Sequence, residues 1–138
     1  MEKIMKLMQL TVKDDHIETE VFEEGTPQKI ATCLLLLMKQ HINDYHEEDF
    51  IWNVHLHSFR QRTNIPSSCH IEDSIFTIEN KDGYGLLSGT TAINDEQYAF
   101  ILGCFLSAGI SYSIECYLVS ILYRIFLSVN NPIIDHPL

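Results

Sequence analysis

Basic residues are scarce in this chain. Nine Lys plus Arg stand against nineteen Asp plus Glu, a formal charge of −10 at neutral pH. That balance opposes docking on a polyanion, so nucleic acid and anionic membrane surfaces are excluded as expected partners. Glycine and proline are also sparse, six and four in 138 residues, which leaves no room for a low-complexity tract or a Gly/Pro linker. The expectation is a single domain over residues 1–138. A membrane span needs about 20 consecutive apolar residues. The greasiest stretch, 110–129, is broken by Ser111, Ser113, Glu115 and Arg124.

Other motifs are missing as well. The four cysteines, Cys33, Cys69, Cys104 and Cys116, show no CxxC spacing, so they read as small core residues in a reducing compartment and not as a disulfide framework. Neither GxxxxGK[ST] nor GxGxxG occurs, and Gly83-Tyr84-Gly85 and Ser88-Gly89-Thr90-Thr91 read as turn and strand residues. The opening Met1-Glu2-Lys3-Ile4-Met5-Lys6 lacks the apolar run of a secretory signal, so the expected location is cytoplasmic. No cofactor is implied.

Apolar periodicity is what the chain has in abundance: 46% of its residues are hydrophobic. The organising stretch is 94–130. Asn94 and Gln97 have the spacing of a capping box, and Tyr98, Ile101, Leu102, Phe105 and Leu106 follow on one helical face. Gly109 is expected to end this helix in a left-handed conformation. Ser111 or Ser113 caps a second helix, ended by Asn130 and Pro132, whose stripe is Ile114, Tyr117, Leu118, Ile121, Leu122, Ile125 and Phe126. Cys116, Val119, Tyr123, Leu127 and Val129 fall partly outside the stripe, so apolar surface nearly encircles the helix. A domain of this size encloses few such helices, and a subunit interface is therefore predicted at Phe105, Tyr117, Ile121, Tyr123 and Leu127.

Upstream, residues 4–13 alternate with Ile4, Met8, Leu10 and Val12 on one face, Asp14-Asp15-His16 turns, and Ile17–Glu23 returns as a hairpin strand. Thr26 and Pro27 open a helix running to His41 or Asn43. Phe50, Trp52, Val54 and Leu56 then alternate with Asn53, His55 and His57, which reads as a strand over 50–58 followed by a loop holding Arg60, Arg62 and Pro66. Strands over 71–79 and 84–91 flank an Asn80-Lys81-Asp82-Gly83 turn. The fold class is α+β, a mostly antiparallel sheet in the order ββα-βββ-αα with a C-terminal helical hairpin.

No catalytic constellation stands out. His55-x-His57 on a strand would point two imidazoles to one side, the best metal candidate by spacing, but two ligands do not complete a site. His41, His46 and Glu47, or Cys69-His70, would have to join from elsewhere, and Cys69 with His70 or His55 is the one nucleophile pair available. The Glu47-Glu48-Asp49 run reads as a solvated loop. The C-terminal helix pair resembles a helix-turn-helix only in outline, since its second helix offers one basic residue, Arg124, expected to snorkel or to pair with Glu115 or a sheet carboxylate.

The leading expectation is therefore a non-enzymatic, acidic, homo-oligomeric interaction protein that acts by binding another macromolecule, as inhibitors, immunity proteins, counter-defence proteins and chaperones do. A second reading is an oligomeric sponge for a nucleotide-like anion, with Arg60, Arg62 and Arg124 neutralising phosphate and Trp52, Phe59 or Tyr84 stacking on a base. A third is a small metal- or Cys/His-dependent enzyme.

Overall fold

The computed structural model describes residues 4–67 and 69–130. Eight elements follow in the order ββααββαα: β1 (Ile4–Lys13), β2 (His16–Val21), α1 (Pro27–Tyr45), α2 (Glu48–Arg62), β3 (Ser74–Lys81), β4 (Tyr84–Gly89), α3 (Asp95–Gly109) and α4 (Tyr112–Asn130). The fold is α+β, with one antiparallel sheet in the order β2-β1-β3-β4.

Local chemistry sets the turns. Asp14 and Asp15 both take positive φ, as do Asp82 and Gly83, which gives two-residue hairpin loops whose twist matches the strands. On β1 and β3 the cross-strand pairs Met8 and Ile78, Leu10 and Phe76, Val12 and Ser74 are all buried, so this face carries the core. The β1 register shifts between Lys6 and Met8, which turns Leu7 and Met8 both inward and leaves Ile4, expected on the buried face, half exposed.

Thr26 caps α1 by accepting from Lys29 N at 3.3 Å, with Pro27 at the first position. The Asn94/Gln97 capping box of α3 closes in both directions. Ser111 caps α4, accepting from Ile114 N at 3.3 Å. Pro132 lies outside the described residues.

Two expectations are corrected. Residues 50–58 are helix, not strand: α2 buries Phe50, Ile51, Val54 and Ser58, a helical spacing, and leaves Trp52 exposed. Arg60 and Arg62 are its last turn and not a loop. Gly109 is not left-handed; Ile110 follows it in extended conformation. A Cβ at Gly109 would sit 2.6 Å from Met8 Sδ and 2.9 Å from Ile30 Cγ2, so its role is to let α3 approach β1 and α1. Gly103 does the same for α2: a Cβ there would meet Val54 O and Ser58 N at 2.9 Å.

All of Ala99–Leu106 on α3 is buried, whereas α4 buries Glu115, Leu118, Val119, Leu122 and Phe126 and exposes Tyr117 and Leu127. Among the described residues no helix is long and apolar enough to cross a membrane.

Candidate functional site

The helical form of α2 decides which side chains meet. Successive residues turn by about 100°, so His55 and His57 point roughly 200° apart instead of sharing a side. Trp52, His55, Phe59 and Arg62, at spacings of three and four, form one row, and His55 and Arg62 in it reach the start of α4. His57 turns toward α3, edge-on to Phe100 at 5.4 Å. The His55-x-His57 metal pair is thereby dissolved.

Beneath the row lies a buried ion cluster. Glu115, in the first turn of α4, is fully buried. It receives His55 Nδ1 at 2.6 Å, Arg62 Nη2 at 2.8 Å and Nε at 3.3 Å, and a short hydrogen bond from Ser58 Oγ. An ionised carboxylate only accepts, so Nδ1 of His55 carries its proton toward Glu115 and Nε2 is turned away from it. Arg62 also donates to the carbonyls of Leu106, Ser107 and Ile110, the open C-terminal end of α3. Cation at the end of one helix and anion at the start of the next both match the helix dipoles. Ser58 gives its proton to Glu115 and not to the imidazole, so the Ser, His and Glu are not a nucleophile relay.

Above this cluster the surface is aromatic. Trp52 and Phe59 are exposed, Trp52 lies 6.0 Å from the His55 ring, and Tyr112 stacks on His55 at 6.1 Å, with Arg62 5.8 Å from the tyrosine ring centre. A hydrogen bond with Cys116 raises the Tyr112 phenol above its ordinary pKa.

A second polar region lies at the opposite flank of α2. A hollow of about 610 Å³ is lined by Glu47, Asp49, Asn53, His57, Asp95 and Glu96. Among the described residues His57 Nδ1 is buried with no hydrogen-bond partner, and burial, then the nearby Arg60, lower its pKa. Beside the hollow, His41 Nε2 lies 3.4 Å from Glu47 Oε2.

The remaining expected residues are dispersed. Arg62 is engaged by Glu115 and three carbonyls. Glu115 in turn is taken, and Arg124 stands exposed on α4 without it. Tyr84 borders a different hollow, next to Lys39, Gln40 and Asp44 of α1. Trp52 and Arg62 share the α2 row, but no convergent set of Arg60, Arg62 and Arg124 forms around an aromatic platform. Of the interface residues, Phe105 is in the protomer core with no exposed surface, Ile121 and Tyr123 are half-buried, and Tyr117 and Leu127 are exposed. Cys69 has its pKa raised by burial, the reverse of an activated thiol, and His70 pairs instead with Asp15 at 2.8 Å.

Reading the sequence missed Glu115 as the shared partner of His55, Ser58 and Arg62, and Asp95 as a neighbour of His41 and Glu47. One signal was present: an acidic start at Glu47-Glu48-Asp49 and a basic end at Arg60 and Arg62, the charge order of a helix. No family model, no curated protein and no solved structure matches this chain.

Proposed function

We propose that this protein works by binding and not by catalysis, and that its binding face is the aromatic row Trp52, Phe59 and Tyr112 around His55, with a positively charged macromolecular surface as occupant. The carrying observation is that row: large rings exposed on top of a rigid buried ion cluster, in a chain of charge −10. Tyr and Trp supply much contact area at low entropic cost, which is why they anchor interfaces. The acidic excess selects a basic partner, steering its approach and repelling acidic competitors. Four thiols without a disulfide fit a reducing compartment, and the cytoplasm is the proposed location.

Trp52 is the only tryptophan, so its fluorescence reports on the face directly. Titration with basic peptides that carry aromatic or leucine side chains should quench or blue-shift this emission. The response should weaken with salt and be lost in Tyr112→Ser and Phe59→Ser. No change with any basic probe at millimolar concentration would sink the reading.

A second copy of the chain is the other occupant supported by a specific observation, and it belongs to a different face. Tyr117 is 70% exposed and Leu127 51%, both on α4. Homo-oligomerisation through Tyr117, Leu127 and the half-buried Ile121 and Tyr123 is a proposal on that ground, and light scattering during gel filtration tests it.

A further inference from the structure

We infer that His41, Glu47 and Asp95 form a binding site for one divalent transition-metal ion of the zinc type. The three residues come from separate parts of the chain: the end of α1, the residue before α2, and the first residue of α3. One ligand atom from each lies within 4.8 Å of the other two. Metal–ligand bonds of about 2.0–2.2 Å in tetrahedral array put neighbouring ligand atoms about 3.4 Å apart. His41 and Glu47 are already at 3.4 Å. Asp95 closes the set with a shift of roughly an ångström and a half, within the swing of an exposed carboxylate.

The imidazole is held as a metal ligand needs to be held. The His41 side chain is 4% exposed, stacked on Phe50 at 3.8 Å and flanked by Tyr45 at 4.7 Å and Tyr98 at 5.5 Å. Its orientation is therefore fixed before any ion arrives. The carboxylates are little engaged: Glu47 precedes α2 yet makes no side-chain cap bond and pairs with His41 itself, and among the described residues Asp95 has no hydrogen-bond or ion-pair partner.

Charge supplies an independent argument. The two hollows that meet at Asp95 are lined by Asp44, Glu47, Asp49, Asp95 and Glu96, and neither is lined by a Lys or Arg. Like charges placed this way repel, which a bound cation would relieve and the amino ends of α2 and α3 relieve only in part. One nitrogen and two oxygens favour a zinc-like ion over calcium or magnesium, which prefer all-oxygen shells. Glu47 and Asp95 both line the 610 Å³ hollow, which gives water room to complete the shell.

Calorimetry with Zn²⁺ and Co²⁺ on the full chain tests the site. One ion per chain is expected, with a visible Co²⁺ spectrum of nitrogen and oxygen coordination and a raised Tm. Glu47→Gln and Asp95→Asn, both at exposed positions, should keep the fold by circular dichroism and weaken binding at least tenfold, while Glu20→Gln on β2 changes nothing. Absence of metal-dependent heat at millimolar Zn²⁺, or binding indifferent to Glu47→Gln and Asp95→Asn, would overturn the inference.

Discussion

Glu115 is the residue on which most of the buried polar chemistry converges. Removing one member of a buried ion pair leaves the other charged and uncompensated, at a cost of about 3–5 kcal/mol. Glu115→Ala is therefore expected to lower the urea midpoint by that equivalent, with Arg62→Met alone nearly as damaging. The double variant Glu115→Leu with Arg62→Met should recover much of the loss, because apolar replacement of a whole buried pair is often close to neutral. If the two single losses simply add in the double variant, the pair is not coupled.

The thiols divide by burial. Burial pushes Cys33 up to about 11 and Cys104 up to about 12, so both stay protonated and shielded at neutral pH. Cys116 is exposed on α4. A thiol reagent should modify Cys116 within the native protein, and Cys33 and Cys104 only on unfolding. Rapid native-state modification of Cys104 would mean that α3 opens locally.

His57 gives a pH dependence of defined sign. Its folded-state pKa is lowered, by burial first, so the unfolded chain binds the proton more readily. Its contribution to stability is complete above the ordinary histidine pKa of about 6.5 and is lost as pH falls through that value toward the lowered one. Thermal melts between pH 7.5 and 5.5 should show declining Tm, and His57→Gln should flatten that slope.

At the scale of elements, α2 and α3 pack through Gly103, where a Cβ would press on the α2 backbone. Gly103→Val should cost about 1–3 kcal/mol or more, since backbone cannot yield as a flexible side chain does. Gly109→Ala meets Met8 Sδ and Ile30 instead, so its penalty should be smaller. Equal losses in parallel denaturation curves would contradict this ranking.

The elements differ in how far residue order foretold them. The hairpin turns, the Thr26 and Ser111 caps and the Asn94/Gln97 box rest on contacts within four residues, and all were legible. Helix α2 was not. Its Phe, Ile, Trp, Asn, Val and His residues have poor helix propensity, and apolar side chains at 50, 52, 54 and 56 imitate a strand. What fixes the helix is packing on α3 and the clamp from Arg62 to Glu115, 53 positions away, which no local pattern carries. The same distance hides the sites: His41 and Asp95, or His55 and Glu115, meet only once the topology is known.

For the whole molecule, charge separates the two proposed occupants. Screening length falls from about 30 Å in 0.01 M salt to about 8 Å in 0.15 M. Two copies of charge −10 repel, so self-association should strengthen over that range in sedimentation experiments. Capture of a basic partner on the Trp52 face should weaken over the same range. A salt response of the opposite sign in either case would remove the electrostatic argument for that occupant.

The irregularity at Leu7 reaches further than its own strand. A uniform pleat can slide two places along its neighbours and still bury the same kind of side chain, which is how strands mispair and exchange between molecules. With Leu7 and Met8 both facing inward, β1 changes phase partway along, and Phe22 N donates to Leu7 O at 3.0 Å just there. Any sliding would strand that doubled step opposite the wrong partner. The central strand thus acts as a keyed part, fitting its two neighbours in one position, and it should guard the sheet against exchange between chains.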